Sequence, residues 1–279
     1  MSLENEGLKY INPDNEVIMV SCEIIGFRFE YYYKGIITVD TRDCNYKCLF
    51  CFLENKNSED YTRFTSLEDF FNNAPPKENE SWRSNLGIME IPAEDLVTTV
   101  LDLMGKQKIT KMRFSSGEIS LHFDFLLEFI KKFAKEMENG FKIYIETNGY
   151  LFALHPEWLD LLAPYKKIIH FRVSLKTPSL EKFQALHCSN QRVFEKTREL
   201  PLLLEERQLK YHVVYILDYL DQDDLTSIRE AYADKPDVLE YLELEKIFYY
   251  PEIMRRFQDE FRLNPESPIR KFVKGRFYD

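Results

Sequence analysis

Five cysteines are spread unevenly along the 279 residues, and three of them, Cys44, Cys48 and Cys51, fall within eight positions. The run Asp43-Cys44-Asn45-Tyr46-Lys47-Cys48-Leu49-Phe50-Cys51 spaces them as Cys-x3-Cys-x2-Cys. Three thiolates this close point to a shared metal or cluster, because a disulfide between two would leave the third over. Structural zinc takes four ligands, usually from two Cys-x2-Cys pairs, so zinc here would need a distant His or Cys. A [4Fe–4S] cluster held by three cysteines leaves one iron open to a ligand. The other two thiols stand alone. Cys22 lies in an apolar, strand-like stretch and reads as a packing residue. Cys188, which follows His187, reads either as packing or as a hydrogen donor.

The elements that must hold such a loop follow from periodicity. Residues 16–33 are β-branched and aromatic, with Gly26 where a bend or hairpin fits. Residues 35–41 (GIITVDT) form a short apolar strand that runs directly into the cysteines. From 53 to 91 the chain turns polar and irregular, with Pro75-Pro76 in its middle, and reads as an insertion or lid. Its Phe64, Phe70, Phe71 and Trp82 would either cover a reactive intermediate or form a satellite cluster on the flank.

Helical patterns over 93–107, 121–137, 156–165, 178–187, 191–207 and 222–233 alternate with strand patterns at 109–115, 141–148, 167–176, 209–217 and 238–247. Such alternation means βα units and a parallel sheet. Six strands counted from residue 35 predict an α/β fold, an open partial (β/α)6 barrel of the TIM type. The chain reads as one domain with its core over 35–247, an N-terminal β extension over 1–34 and a C-terminal helical segment over 248–279. Within 167–176, Ile169, Phe171, Val173 and Leu175 alternate with His170, Arg172, Ser174 and Lys176, and Tyr241, Glu243 and Glu245 share a face. Polar faces on successive strands suit a lumen, although a sheet with one solvated face alternates in the same way.

Composition narrows the setting. Apolar residues make up 44% and charged residues 30%, enough for a core and too apolar for a disordered chain. A net charge of −10 disfavours a nucleic-acid coat or a basic membrane-surface protein. No apolar run approaches the ~18–20 residues that span a bilayer. The N-terminus lacks the pattern of a secretion signal, and an odd cysteine count gives no disulfide framework, so a cytoplasmic setting is expected. At the other end, Arg270, Lys271, Lys274 and Arg276 form a basic tail, read either as loosely held or as a guide for an anionic substrate.

The cysteine spacing, the aromatic Phe50 just before the last cysteine, and the position after the first core strand resemble the radical S-adenosylmethionine (SAM) superfamily over roughly 35–247. The resemblance implies two cofactors: a [4Fe–4S] cluster on Cys44, Cys48 and Cys51, and SAM bound through its amino and carboxylate groups to the open iron, with Phe50 near the adenine. It implies reductive cleavage of SAM to a 5′-deoxyadenosyl radical that abstracts hydrogen from a substrate. The electron would come from a reductant such as flavodoxin or ferredoxin. Ser115-Ser116-Gly117-Glu118 stands where the family has a Gly-Gly-Glu turn that receives the methionine ammonium. An ammonium needs acceptors, and Gly lets the backbone come close. Here Ser116 replaces the first Gly and Ile119 stands where Pro is common. An ordinary strand-to-helix cap is the alternative for this turn.

The resemblance also assigns Glu146 and Asn148, beside Thr147 and Gly149, to the ribose. It assigns Arg172, Ser174 and Lys176 to the methionine carboxylate or an anionic substrate, with structural salt bridges as the alternative. The substrate is less defined. No second cysteine cluster of the methylthiotransferase kind is present, so one cluster is expected. The cysteine loop also resembles that of viperin-like nucleotide dehydratases. Glu146-Thr147-Asn148-Gly149 resembles strand ends of glycyl-radical activating enzymes and of 7-carboxy-7-deazaguanine synthases. The net charge disfavours tRNA, while the basic tail keeps nucleic acid open. A non-catalytic metal-binding module, with three thiolates and an outside ligand, is the rival from a different class.

Overall fold

The computed structural model describes residues 21–30, 34–51, 62–73, 87–136 and 140–273. In chain order the elements begin with β1 (Ser21–Glu30), β2 (Ile36–Thr41), β3 (Thr62–Phe64), α1 (Leu67–Asn73), β4 (Gly87–Pro92), α2 (Ala93–Gln107), β5 (Lys111–Ser115), α3 (Phe123–Glu136) and β6 (Lys142–Thr147). Then follow α4 (Tyr150–Leu154), α5 (Glu157–Leu162), β7 (Ile169–Lys176), α6 (Leu180–Ala185), α7 (Gln191–Thr197), α8 (Leu200–Glu206) and β8 (Lys210–Ile216). The last are α9 (Gln222–Ala231), α10 (Pro236–Glu240), β9 (Glu243–Glu245), α11 (Pro251–Leu263) and α12 (Arg270–Val273). Among the described residues no helix is long and apolar enough to cross a membrane.

Contacts divide the chain into two compact units, the first over 1–44, 56–146 and 160–169, the second over 45–55, 147–159 and 170–279. In the first, the strands run in the order β3-β4-β1-β2-β5-β6. β1 is antiparallel to both β2 and β4, whereas β2, β5 and β6 are parallel. All six residues of β2 are buried, as expected of a central parallel strand. The helix α3 lays Phe125, Leu126, Phe129, Ile130 and Phe133, all fully buried, against the sheet. Phe129 meets Phe114 of β5 edge-on, with centroids 5.0 Å apart. In the second unit β7, β8 and β9 are parallel. Phe152 of α4 packs edge-on against Phe171 of β7 at 5.3 Å. Neither unit closes its sheet, so the expected α/β fold with an open, mostly parallel sheet is present.

Several details differ from expectation, each for a local reason. Gly26 marks a bulge rather than a hairpin: Ile24 faces Thr41 and Gly26 faces Asp40, so Ile25 is the extra residue. Residues 16–20 and 31–33 of that stretch lie outside the described residues. The segment 53–91 is not all insertion, because β3 and β4 are strands of the first unit's sheet and β4 pairs with β1. Its residues 53–61 and 74–86, with Pro75, Pro76 and Trp82, lie outside the described residues. The helix expected over 191–207 is two, α7 and α8, with Pro201 in the first turn of the second. The strand expected over 238–247 shrinks to β9, because Pro236 opens α10 in front of it. The basic tail is partly packed: Ile269 and Val273 are fully buried, and Arg270 donates to the Phe261 and Pro265 carbonyls. Lys274 and Arg276 lie outside the described residues.

Two predictions follow from this packing. Phe70, 3% exposed, meets Phe64 at 5.5 Å and Phe27 at 6.2 Å. Phe70→Ala should therefore cost about 3–5 kcal/mol in a urea titration, as a core truncation does, whereas a lid residue would leave the midpoint in place. In the second unit Asp221 caps α9 and accepts from the Lys182 ammonium at 2.7 Å. The Lys182 bond, with the Asp224 backbone N–H, holds the Asp221 carboxyl well below its ordinary range. A lowered carboxyl contributes stability above its unfolded value, about 3.9, and loses it as pH falls towards the native value. Asp221→Asn keeps a good N-cap and should flatten the dependence of the urea midpoint on pH below about 4.

Candidate functional site

In the first unit, the polar face of β1, β2, β5 and β6 carries two arginines among three acids. Arg28 grips Asp40 through Nε at 2.5 Å and Nη2 at 2.6 Å, and also pairs with Glu30. Arg113 donates to Thr38 Oγ1 and to Glu146 Oε1, each at 2.7 Å, and pairs with Glu30 as well. Burial works against the Arg28 charge, but Asp40 and Glu30 outweigh it and raise its pKa above the ordinary value. Glu146 was expected from sequence; Glu30, Asp40, Arg28 and Arg113 were not. Their signal was present in the alternation of Thr38 and Asp40 along an otherwise apolar strand and of Arg113 and Ser115 along the next.

The turn after β5 is fitted to the end of β2. Ser116, in the left-handed region at φ 76°, donates from Oγ to Asp40 Oδ1 at 2.5 Å. Ser115 Oγ donates to Glu146 Oε2 at 2.5 Å. The Glu118 N–H donates to the Asp43 carbonyl at 2.6 Å. A Cβ on Gly117 would lie 2.5 Å from the Asp43 carbonyl oxygen and 2.9 Å from that of Thr41, so only glycine fits. The Glu118 carboxylate, 1% exposed, accepts from Ser120 N–H at 3.2 Å and Ser120 Oγ at 2.6 Å, capping a short 3-10 helix over Ile119–His122. The cap weighed as the alternative from sequence is therefore real for this side chain. His122 Nε2 stands 3.6 Å from Asp43 Oδ2 and holds that carboxyl below its ordinary range.

The second unit carries the cysteine loop beyond Cys44. Its residues are tied to four different segments. Asn148 donates to Asn45 Oδ1 at 2.6 Å and accepts from Tyr150 N–H at 3.1 Å. Tyr46 shares a 2.8 Å hydroxyl bond with Thr197. Leu49 N–H donates to the Leu186 carbonyl at 3.0 Å. Arg256 of α11 donates to the carbonyls of Cys48 and Cys51. A register shift at the end of β7, with Lys176 at φ 71°, turns that side chain out of the sheet's alternation. The Lys176 ammonium then stands 5.4 Å from the centre of the Phe50 ring.

Of the remaining expected residues, Ser174 is buried on β7. Arg172 is buried on β7 and ion-paired. Its Nε and Nη2 grip Glu243 at 3.0 and 2.6 Å, and Glu245 lies 3.5 Å away. His212 bonds the same Glu243 at 3.0 Å and His170 at 2.8 Å. For Arg172 the salt bridge is what the fold makes. Cys22 is a buried core thiol, as its neighbours in sequence suggested, and burial pushes its pKa far above the ordinary range. Cys188 is buried too.

Residues 38–233 match the family model of the Radical SAM superfamily. The chain belongs to the radical SAM superfamily. Its fold is similar to native anSMEcpe with bound AdoMet, at 15% identity and a TM-score of 0.50 over 84% of this chain and 60% of that one. It is likewise similar to native anSMEcpe with bound AdoMet and Kp18Cys peptide, at 15% identity and a TM-score of 0.50 over 86% of this chain and 62% of that one. The radical SAM chain described here thus spans about three fifths of the length of those structures. No curated protein is significantly similar to it.

The donor chemistry of this radical SAM chain fits an iron–sulfur cluster. Three soft thiol ligands lie within eight residues, and none of the five cysteines forms a disulfide. Among the described residues, however, no group of three His, Cys, Asp or Glu side chains is gathered as a metal site. The Gly117 turn offers a direct test of the close approach. Since two of the three atoms in the way are main-chain carbonyl oxygens and the third is Thr41 Oγ1, Gly117→Ala should lower stability by about 1–3 kcal/mol, as overpacking does, read from the urea midpoint.

Proposed function

We propose that this protein is a radical SAM enzyme that holds a [4Fe–4S] cluster on Cys44, Cys48 and Cys51, binds S-adenosylmethionine beside it, and removes a hydrogen atom from a substrate. The observation that carries this reading is Cys-x3-Cys-x2-Cys directly behind β2, within the matched span 38–233. When bound, the cluster supplies one electron to the SAM sulfonium, and the protein supplies binding, orientation and exclusion of water.

Each remaining role belongs to this chain's own side chains. The turn at Gly117 packs against Thr41 and Asp43 with no room for a Cβ, and in this reading it offers backbone acceptors to the methionine ammonium. Ser116 is held by Asp40, and Glu118 keeps the turn closed by capping the helix behind it. Glu146 and Asn148 supply polar groups at the end of β6 for ribose hydroxyls, and Ser174 and Lys176 do so at the end of β7 for a carboxylate. Lys176 beside Phe50 pairs a cation with an aromatic face. Arg172 serves this reading from behind, through Glu243. A small reductant such as flavodoxin or ferredoxin is the partner this chemistry requires.

The test is anaerobic reconstitution with iron and sulfide, followed by reduction with SAM present. We expect 5′-deoxyadenosine to form with the wild type and to fall to background in Cys48→Ala. Equal 5′-deoxyadenosine in the two proteins would sink the proposal. So would zinc, rather than iron, in anaerobically purified protein, which favours the non-catalytic metal-binding module.

A further inference from the structure

The helix α11 brings a cation to the cysteine loop from far along the chain. Ile253 and Phe257, 1% and 0% exposed, bury one side of α11. Arg256, next to Phe257, points its guanidinium at the loop. Nη1 donates to the Cys48 carbonyl at 3.5 Å, and Nη2 donates to the Cys51 carbonyl. Those carbonyls flank a tight turn, since the Cys51 N–H itself donates to the Cys48 carbonyl at 3.1 Å. Nε bonds back to the Glu252 carbonyl at 3.4 Å, one helical turn away. One turn further on, Glu260 pairs with His187 at 2.9 Å. His187 follows Leu186, whose carbonyl takes the Leu49 N–H. Arg256 and Glu260 are four apart and so share a helix face. That face grips the cysteine loop once directly and once through the segment the loop leans on.

A guanidinium is a planar fork with a permanent charge, and a lysine ammonium reproduces the charge without the fork. The fork matters for geometry, because it fixes two carbonyls of one turn at once. The charge matters for electron affinity, because a nearby cation favours the state carrying one more electron, and net charge is among the levers on iron–sulfur potentials. We propose that Arg256 is a positioning residue that clamps the Cys48–Cys51 turn, and that its charge raises the reduction potential of a cluster held there. The second half rests on the cluster reading given above; the first half does not.

The clamp is tested in the full-length chain purified without iron, by alkylation with iodoacetamide read site by site by mass spectrometry. Cys48 should react about tenfold faster in Arg256→Met and in Arg256→Lys than in wild type, as expected when a local closure is lost. Buried Cys22 should stay unreactive and so report on global folding. Equal Cys48 rates in all three proteins overturn the clamp. If Cys22 becomes reactive in Arg256→Met, that variant has unfolded and Arg256→Lys decides. A faster Cys48 with protected Cys22 supports the clamp, and an unchanged rate overturns it. The charge is tested after reconstitution by potentiometric titration. Arg256→Met should lower the midpoint by about 59 mV, a tenfold shift of a one-electron equilibrium, whereas Arg256→Lys should hold it. An unchanged midpoint in Arg256→Met overturns the charge role. A wild type that takes up no iron overturns the cluster reading and the charge role with it, while the alkylation result still decides the clamp.

Discussion

The close approach of Gly117 to the main chain of Thr41 and Asp43 leaves no room for a Cβ in the first unit. There the turn after β5 lies against the chain as it leaves β2, and the Glu118 N–H closes the approach on the Asp43 carbonyl. Asp43 precedes Cys44, so the path into the cysteine run is set by a contact that tolerates no side chain. Ser116, beside it, adopts a left-handed backbone that costs a non-glycine residue energy. Its bond to Asp40 is part of what holds it there. A strained, over-determined turn at the carboxyl end of a parallel strand is where open α/β sheets put ligand chemistry.

Around that turn, charge has to be balanced in a largely buried setting. Asp40 is 6% exposed, and Arg28 meets both of its carboxyl oxygens. Arg113 pairs with Glu30 and Glu146. In the second unit the pattern recurs with Arg172, Glu243 and a pair of histidines. Breaking one member of such a set is costlier than never having built it, because the partner is left as a buried charge. The polar faces thus carry paired charges, Arg28 and Arg113 with their acids in the first unit and Arg172 with Glu243 in the second.

The cysteine loop itself has no regular secondary structure, and its backbone groups still require partners. Asn148, Thr197, Leu186 and Arg256 each satisfy or anchor one point of it. A loop fastened at several points by separate elements keeps the spacing of its thiols without a helix or strand. Lys176 reaches Phe50 only because a bulge redirects the end of β7.

Sequence alone determined what lies within a short window. The Cys-x3-Cys-x2-Cys spacing, the strand that runs into it and the Ser-Gly-Glu turn could all be read, because spacing and periodicity are local properties of the chain. The alternation of helices and strands led to the parallel α/β sheet for the same reason. Proline at the start of a helix was equally local, yet its effect at Pro236 and Pro201 depended on which side of it the strand or helix pattern was broken. Tertiary structure decided what register and long-range docking bring together. Asp40 meets Arg28 because the antiparallel register sets Gly26 opposite Asp40 and Arg28 opposite Thr38, which places Arg28 diagonal to Asp40. Glu243 finds Arg172 across two parallel pairings whose offset no window reveals. Arg256 reaches Cys51 from 205 residues downstream. The residues that carry chemistry announce themselves by type and spacing, whereas the residues that hold them in place are chosen by packing, and packing is a property of the folded chain.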